Sequence, residues 1–121
     1  MLESHPFNPV LDKEFILENY DTPEYLLEVL GDFLALMPEE VEELKQAQAA
    51  GDKDRLVKKI HAISSGVGFT GGIALCDRMK AFEQKAKNDP GFDVKNEESV
   101  ALINEISEFI GIIQKEYDSL S

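Results

Sequence analysis

The sequence predicts an all-α protein: an antiparallel four-helix bundle with a short extra helix at its N-terminal side. Three observations carry that prediction. Apolar residues recur at three- and four-residue steps through four long segments, the connectors between those segments are short, and alternating strand-like patterns are almost absent. At 121 residues the chain is one domain's worth, enough to bury a single core without disulfides or metals and too short for two ordinary domains. Residues 1–121 are therefore read as one unit.

The short helix is expected over Asp12 to Asn19, with Phe15, Ile16 and Leu17 on it, and it stops before Tyr20-Asp21-Thr22-Pro23. It would form a lid on one end of the bundle. Thr22 with Pro23 behind it reads as an N-cap followed by proline at the first helical position. A long helix then runs to about Ala50 on a stripe of Leu26, Leu27, Leu30, Phe33, Leu34, Met37, Val41 and Leu44. Pro38 lies inside it, and because proline removes a backbone donor and crowds the preceding turn, a kink near Leu34 to Pro38 is expected. Gly51 closes this helix, and Asp52 caps the next one directly.

The third long segment, about Asp52 to Gly68, carries the most informative residue. At about 100° per residue, Leu56, Ile60, Ile63 and Val67 share a narrow arc, and His61 lies about 125° from its centre. Val57 and Ser65 lie one turn from His61, Ser64 three residues on and Gly68 seven residues on, with Lys58 on the same outer side. An imidazole surrounded by short side chains is open to a visiting group. Phe69-Thr70-Gly71-Gly72 makes the turn, and a helix from Ile73 to Lys87 follows on Leu75, Met79, Phe82 and Ala86. Glu83 is about 70° from that stripe, placed to reach across the helical hairpin to His61. Asn88-Asp89-Pro90-Gly91 is a turn. The last helix, from Lys95 or Asn96 to Asp118, is expected to bury Val100, Leu102, Ile103, Ile106, Phe109, Ile110 and Ile113.

Composition narrows the functional classes. With 12 basic and 24 acidic residues the net charge is -12, which opposes binding to nucleic acid or to an anionic membrane surface. Cys76 is the single cysteine, no run is long enough to span a membrane, and the N-terminus lacks the pattern of a signal peptide, so a cytoplasmic protein is expected. Neither a nucleotide-binding loop nor a metal-ligand spacing around His61 is present, so no metal site is expected. Cys76 reads as a small packed residue, and His5 as a residue of a loose N-terminal segment without a partner. The clusters Glu39-Glu40 and Glu42-Glu43 read as a solvated face.

The run from Gly51-Asp52 through Leu56 and Lys59-Ile60-His61-Ala62-Ile63 to Gly71, Leu75 and Phe82-Glu83 resembles a histidine phosphotransfer (HPt) domain of two-component phosphorelays. The kinked second helix is also typical of that family. Gly66-Val67-Gly68 with Gly71 and the acidic Glu83 is similar in particular to the phosphotransfer domain of chemotaxis kinases. The resemblance implies that His61 accepts a phosphoryl group and exchanges it with the aspartate of a response-regulator receiver domain. It implies that Glu83 holds the other ring nitrogen. It further implies no cofactor of the chain's own, magnesium on the partner, a receiver or sensor kinase as partner, and a carrier without catalytic activity, working as a monomer.

The family's usual motif has lysine three residues after the histidine and glycine at four, where this chain has Ser64 and Ser65. Ser64 would offer the phosphoryl group a neutral hydroxyl in place of a charge, and Ser65 would add bulk to the rim. Ser64, Ser65, Gly68, Val57, Lys58 and Lys87 are accordingly the expected binding surface, with Arg55 and Lys59 as further cations that either attract phosphate or balance local acidic charge. A second reading is a non-phosphorylated module that binds a receiver or kinase as inhibitor or scaffold.

Overall fold

A computed structural model describes residues 2–121. After a 3₁₀ turn at Leu2–Ser4, five helices follow: α1 (Lys13–Asn19), α2 (Pro23–Ala49), α3 (Lys53–Phe69), α4 (Ile73–Asn88) and α5 (Glu97–Leu120). No strand occurs among the described residues. The helix starts follow from local chemistry. The side-chain oxygens of Asp12, Thr22, Asp52 and Asn96 each accept the backbone N–H three residues on, satisfying donors that a first turn leaves free. Pro23 stands at the start of α2, and Pro38 lies within it while the helix continues to Ala49.

α3 packs against both α2 and α4, and α2 packs against α5. Leu26, Leu30 and Leu44 of α2, Leu56, Ile60, Ile63 and Val67 of α3, Met79 of α4 and Ile106 and Ile113 of α5 are all essentially buried between them. Each removes a branched or long apolar side chain from water, worth about 1.5–3 kcal/mol apiece before conformational entropy is counted. α4 and α5 are tied by side chains: Arg78 pairs with Glu105, and Lys85 Nζ lies 2.7 Å from Glu98. Val100 does not join this core. It is 43% exposed, because it falls about 130° from the centre of the stripe made by Leu102, Ile103, Ile106, Phe109 and Ile113.

The turn between α3 and α4 fixes how those helices meet. Gly71 adopts φ +97°, open to glycine without strain, and a Cβ there would lie 2.8 Å from Ile16 of α1. At Gly72 a Cβ would fall 2.5 Å from Phe109 and 2.9 Å from Val67, so only glycine lets α5 approach this corner. The Asp12 N–H donates to Gly71 O at 2.8 Å and the Tyr20 hydroxyl to Phe69 O at 2.5 Å, fastening α1 over the same end.

The N-terminal segment is tied down, contrary to the loose stretch expected around His5. Leu2 and Leu11 are buried, His5 Nε2 lies 3.4 Å from Glu116 Oε2, and the Asn8 N–H donates to Glu116 Oε1 at 2.7 Å. His5 also meets the Phe7 ring edge-on at 4.5 Å. A buried carboxylate needs donors, and the N-terminal segment supplies them.

Candidate functional site

His61 lies in the middle of α3 with its imidazole 69% exposed, while Glu83 of α4 is only 5% exposed. The 22-residue step from one to the other takes the chain along α3, through the Gly71-Gly72 turn and back along α4. His61 Nδ1 then lies 3.1 Å from Oε1 and 3.3 Å from Oε2 of the carboxylate. Lys87, one turn after Glu83, places Nζ 3.0 Å from the same Oε1. Burial alone would push the Glu83 carboxyl up, but hydrogen bonds from Lys87 and His61 outweigh it and hold the group below its ordinary value. An ionised carboxylate can only accept, so Nδ1 must carry the proton it donates. The Nε2 lone pair is thereby left on the exposed side of the ring, where a nucleophile is useful.

Several residues expected to rim His61 serve other ends. Ser64 and Val57 are buried, not on the surface. The Ser64 hydroxyl donates to the His61 carbonyl at 2.7 Å, so it is turned back onto its own helix. The reason is that α3 is flanked by two helices, and its buried arc is wider than the single stripe of Leu56, Ile60, Ile63 and Val67. The small residues have packing roles as well. A Cβ at Gly68 would touch Cys76 Sγ of α4 at 3.4 Å, and one at Gly66 would touch Phe33 of α2 at 3.4 Å. Cys76 is buried beneath that contact.

Ser65 and Lys58 remain on the exposed face with His61. Lys59 turns the other way: it is 2.7 Å from Glu40 and 2.5 Å from Glu43 of α2, and those hydrogen bonds raise its pKa above the ordinary lysine value. Glu40 and Glu43 are thus only half-exposed and paired, unlike the wholly solvated face expected of that run. Arg55 hydrogen-bonds Gln46. On the α2 side of α3, Tyr25, Leu36 and Phe69 stay exposed around a shallow groove of about 360 Å³ that reaches Phe33, Met37 and Gly66. Sequence reasoning had not singled out this apolar surface, although the exposed Leu36 and Phe69 fall off their helices' core stripes. Among the described residues no cluster of His, Cys, Asp and Glu could hold a metal ion, and no helix is long and apolar enough to cross a membrane.

A family model described as Hpt domain matches residues 28–112, which include His61, Glu83 and Lys87. The chain belongs to the Hpt domain family. Hpt domains are helical bundles that act as histidine phosphotransfer carriers in two-component phosphorelays. His61 is the one histidine inside the matched span, since His5 precedes it. No curated protein and no solved structure matches the chain.

Proposed function

We propose that this Hpt domain carries a phosphoryl group on Nε2 of His61 and exchanges it with the aspartate of a receiver domain. The observation that carries the reading is the exposed His61 ring with Nδ1 held 3.1 Å from a buried carboxylate. In the forward step the Nε2 lone pair forms a bond to phosphorus while the bond from phosphorus to the donor oxygen breaks. The electron pair leaves with that oxygen, and the Nδ1–H hydrogen bond to Glu83 spreads the positive charge that develops on the ring. Transfer onward reverses the roles, with a carboxylate oxygen of the receiver attacking phosphorus and His61 leaving as neutral imidazole.

Magnesium for the transfer is supplied by the kinase or receiver, and the chain has no catalytic activity alone. The four long helices form an antiparallel bundle, which keeps His61 on an outer face and Glu83 beneath it. The groove by Leu36 and Phe69 gives a receiver an apolar surface on α2 and on α3, the helix that carries His61, and the acidic whole of the chain argues against nucleic acid as a partner. The domain acts as a cytoplasmic monomer.

The test is incubation with a phosphorylated receiver or a cognate kinase, followed by acid and base treatment. Uptake of phosphate that is labile in acid and stable in base is expected, and it disappears in His61→Ala. Full label retained by that variant would overturn the assignment.

A further inference from the structure

Glu83 Oε1 faces two cationic or potentially cationic groups at once, His61 Nδ1 from α3 at 3.1 Å and Lys87 Nζ from α4 at 3.0 Å. Lys58 on α3 and Lys80 on α4 are exposed and make no ion pair with this carboxylate. We propose that Lys87 is a positioning residue of the acceptor site, which acts on His61 through the shared Glu83 oxygen and keeps Nε2 free of a proton to lower pH. The inference rests on His61 being the phosphoryl acceptor, and it assigns to α4 a charge that governs when that acceptor is usable.

One extra proton on this pair has two places to go. A carboxylate taken out of water against a neutral imidazole is an uncompensated buried charge, and it draws a proton to the pair. If that proton lands on Glu83, the carboxyl becomes a donor toward Nδ1 and the ring must carry its hydrogen on Nε2. If it lands on the ring, both nitrogens are protonated. Either way the Nε2 lone pair is lost, and the two routes are one macroscopic protonation of a coupled pair. An ammonium on the same oxygen opposes both routes, because it compensates the carboxylate and repels an imidazolium. Lys87 is half-exposed, so its influence is moderated by solvent but not removed. Its place in the last turn of α4 also suits a cation, since the helix end carries partial negative charge.

The motif usual in the family places a lysine three residues after the histidine on the same helix, and here Ser64 occupies that position with its hydroxyl turned away. The cation tied to the site in this chain comes from the partner helix and reaches the ring by way of Glu83.

The experiment uses the full chain with Lys87→Met and Lys87→Arg. Two readouts are taken against pH: the rate of phosphoryl uptake from a phosphorylated receiver or kinase, and the ¹⁵N spectrum of the His61 ring without any phosphate donor. In Lys87→Met the neutral Nδ1–H form gives way at higher pH than in wild type. Uptake falls about three-fold near pH 6 and is unchanged near pH 8.5. Lys87→Arg restores both. Coincident ring titrations for wild type and Lys87→Met would overturn the inference, as would a uniform fall in uptake at every pH that Arg does not rescue. A wild-type chain that takes no phosphate while its ring spectrum still responds to Lys87→Met would sink the acceptor assignment and leave the electrostatic link intact. Phosphate uptake with overlapping pH profiles would do the opposite.

Discussion

His61 and His5 both meet a glutamate that the fold has withdrawn from water, Glu83 at 5% exposure and Glu116 at 9%. The chemistry of the two pairs is alike, yet the rings differ sharply in access: His61 is 69% exposed and His5 only 10%. His5 turns Nε2 inward to Glu116 and packs against Phe7, and the second Glu116 oxygen is used by the Asn8 N–H. That pair fastens the N-terminal segment to α5. His61 turns Nδ1 inward and leaves the rest of the ring to solvent, and its carboxylate has a lysine as second partner. The two pairs thus differ in the access of the far nitrogen and in the second partner of the carboxylate, an ammonium at Glu83 and a backbone N–H at Glu116.

The largest expected effect separates the two histidines outright. His61→Ala reduces phosphate uptake to background, and His5→Ala leaves it at the wild-type level, as measured by labelled transfer from a phosphorylated receiver. Equal losses in both variants would erase the distinction. Next comes Glu83→Gln, which keeps the shape of the side chain and removes its charge. Uptake should slow by about 10- to 100-fold, the usual cost of losing a partner that orients a functional imidazole. An unaltered rate would show that the exposed ring suffices without the carboxylate.

Glu116→Ala tests the other pair. It leaves His5 and the Asn8 N–H without their acceptor and should lower stability by about 1–3 kcal/mol in urea denaturation while phosphate uptake stays unchanged. A loss of transfer with preserved stability would mean that the N-terminal segment belongs to the site. The smallest effect is one of pH. The folded-state pKa of Glu83 is held below its ordinary value of 4.5, so its contribution to stability is complete above that value and is lost as pH falls through the lower folded one. Between those limits the urea midpoint of wild type should fall more steeply than that of Glu83→Gln. Parallel curves would indicate that the carboxylate gains nothing from His61 and Lys87 on folding.

Much of this arrangement was legible in the sequence because it is local. Thr22, Asp52 and the Asn96 region announce helix starts through their own side chains, and the 3.6-residue period places His61 off the core arc and Glu83 toward its hairpin partner. What escaped was set by contacts that no local pattern encodes. Ser64 and Val57 looked exposed when α3 was given one apolar stripe, and they are buried because α3 has a neighbour on each side. Gly68 looked like part of an opening around the imidazole, and it makes room for Cys76. His5 and Glu116 are separated by 111 residues, and nothing near either one announces the other. The burial of Val100 was expected too readily, since the same helical period that served for His61 points that side chain outward.

The crowded corner at Gly71 and Gly72 has a consequence for how this chain can vary. Turns between helices normally absorb insertions easily, because extra residues bulge into solvent. Here Gly72 is wedged against Phe109 and Val67, and Gly71 lies against Ile16. The turn therefore acts as an index that counts α4 against α3. One added residue that entered α4 would rotate every later side chain by about 100°, carrying Glu83 and Lys87 off the imidazole together. The length of this connection is thus tied to the pairing of His61 with Glu83 about three turns away, and natural or designed relatives that retain that pair should conserve its length more strictly than its composition.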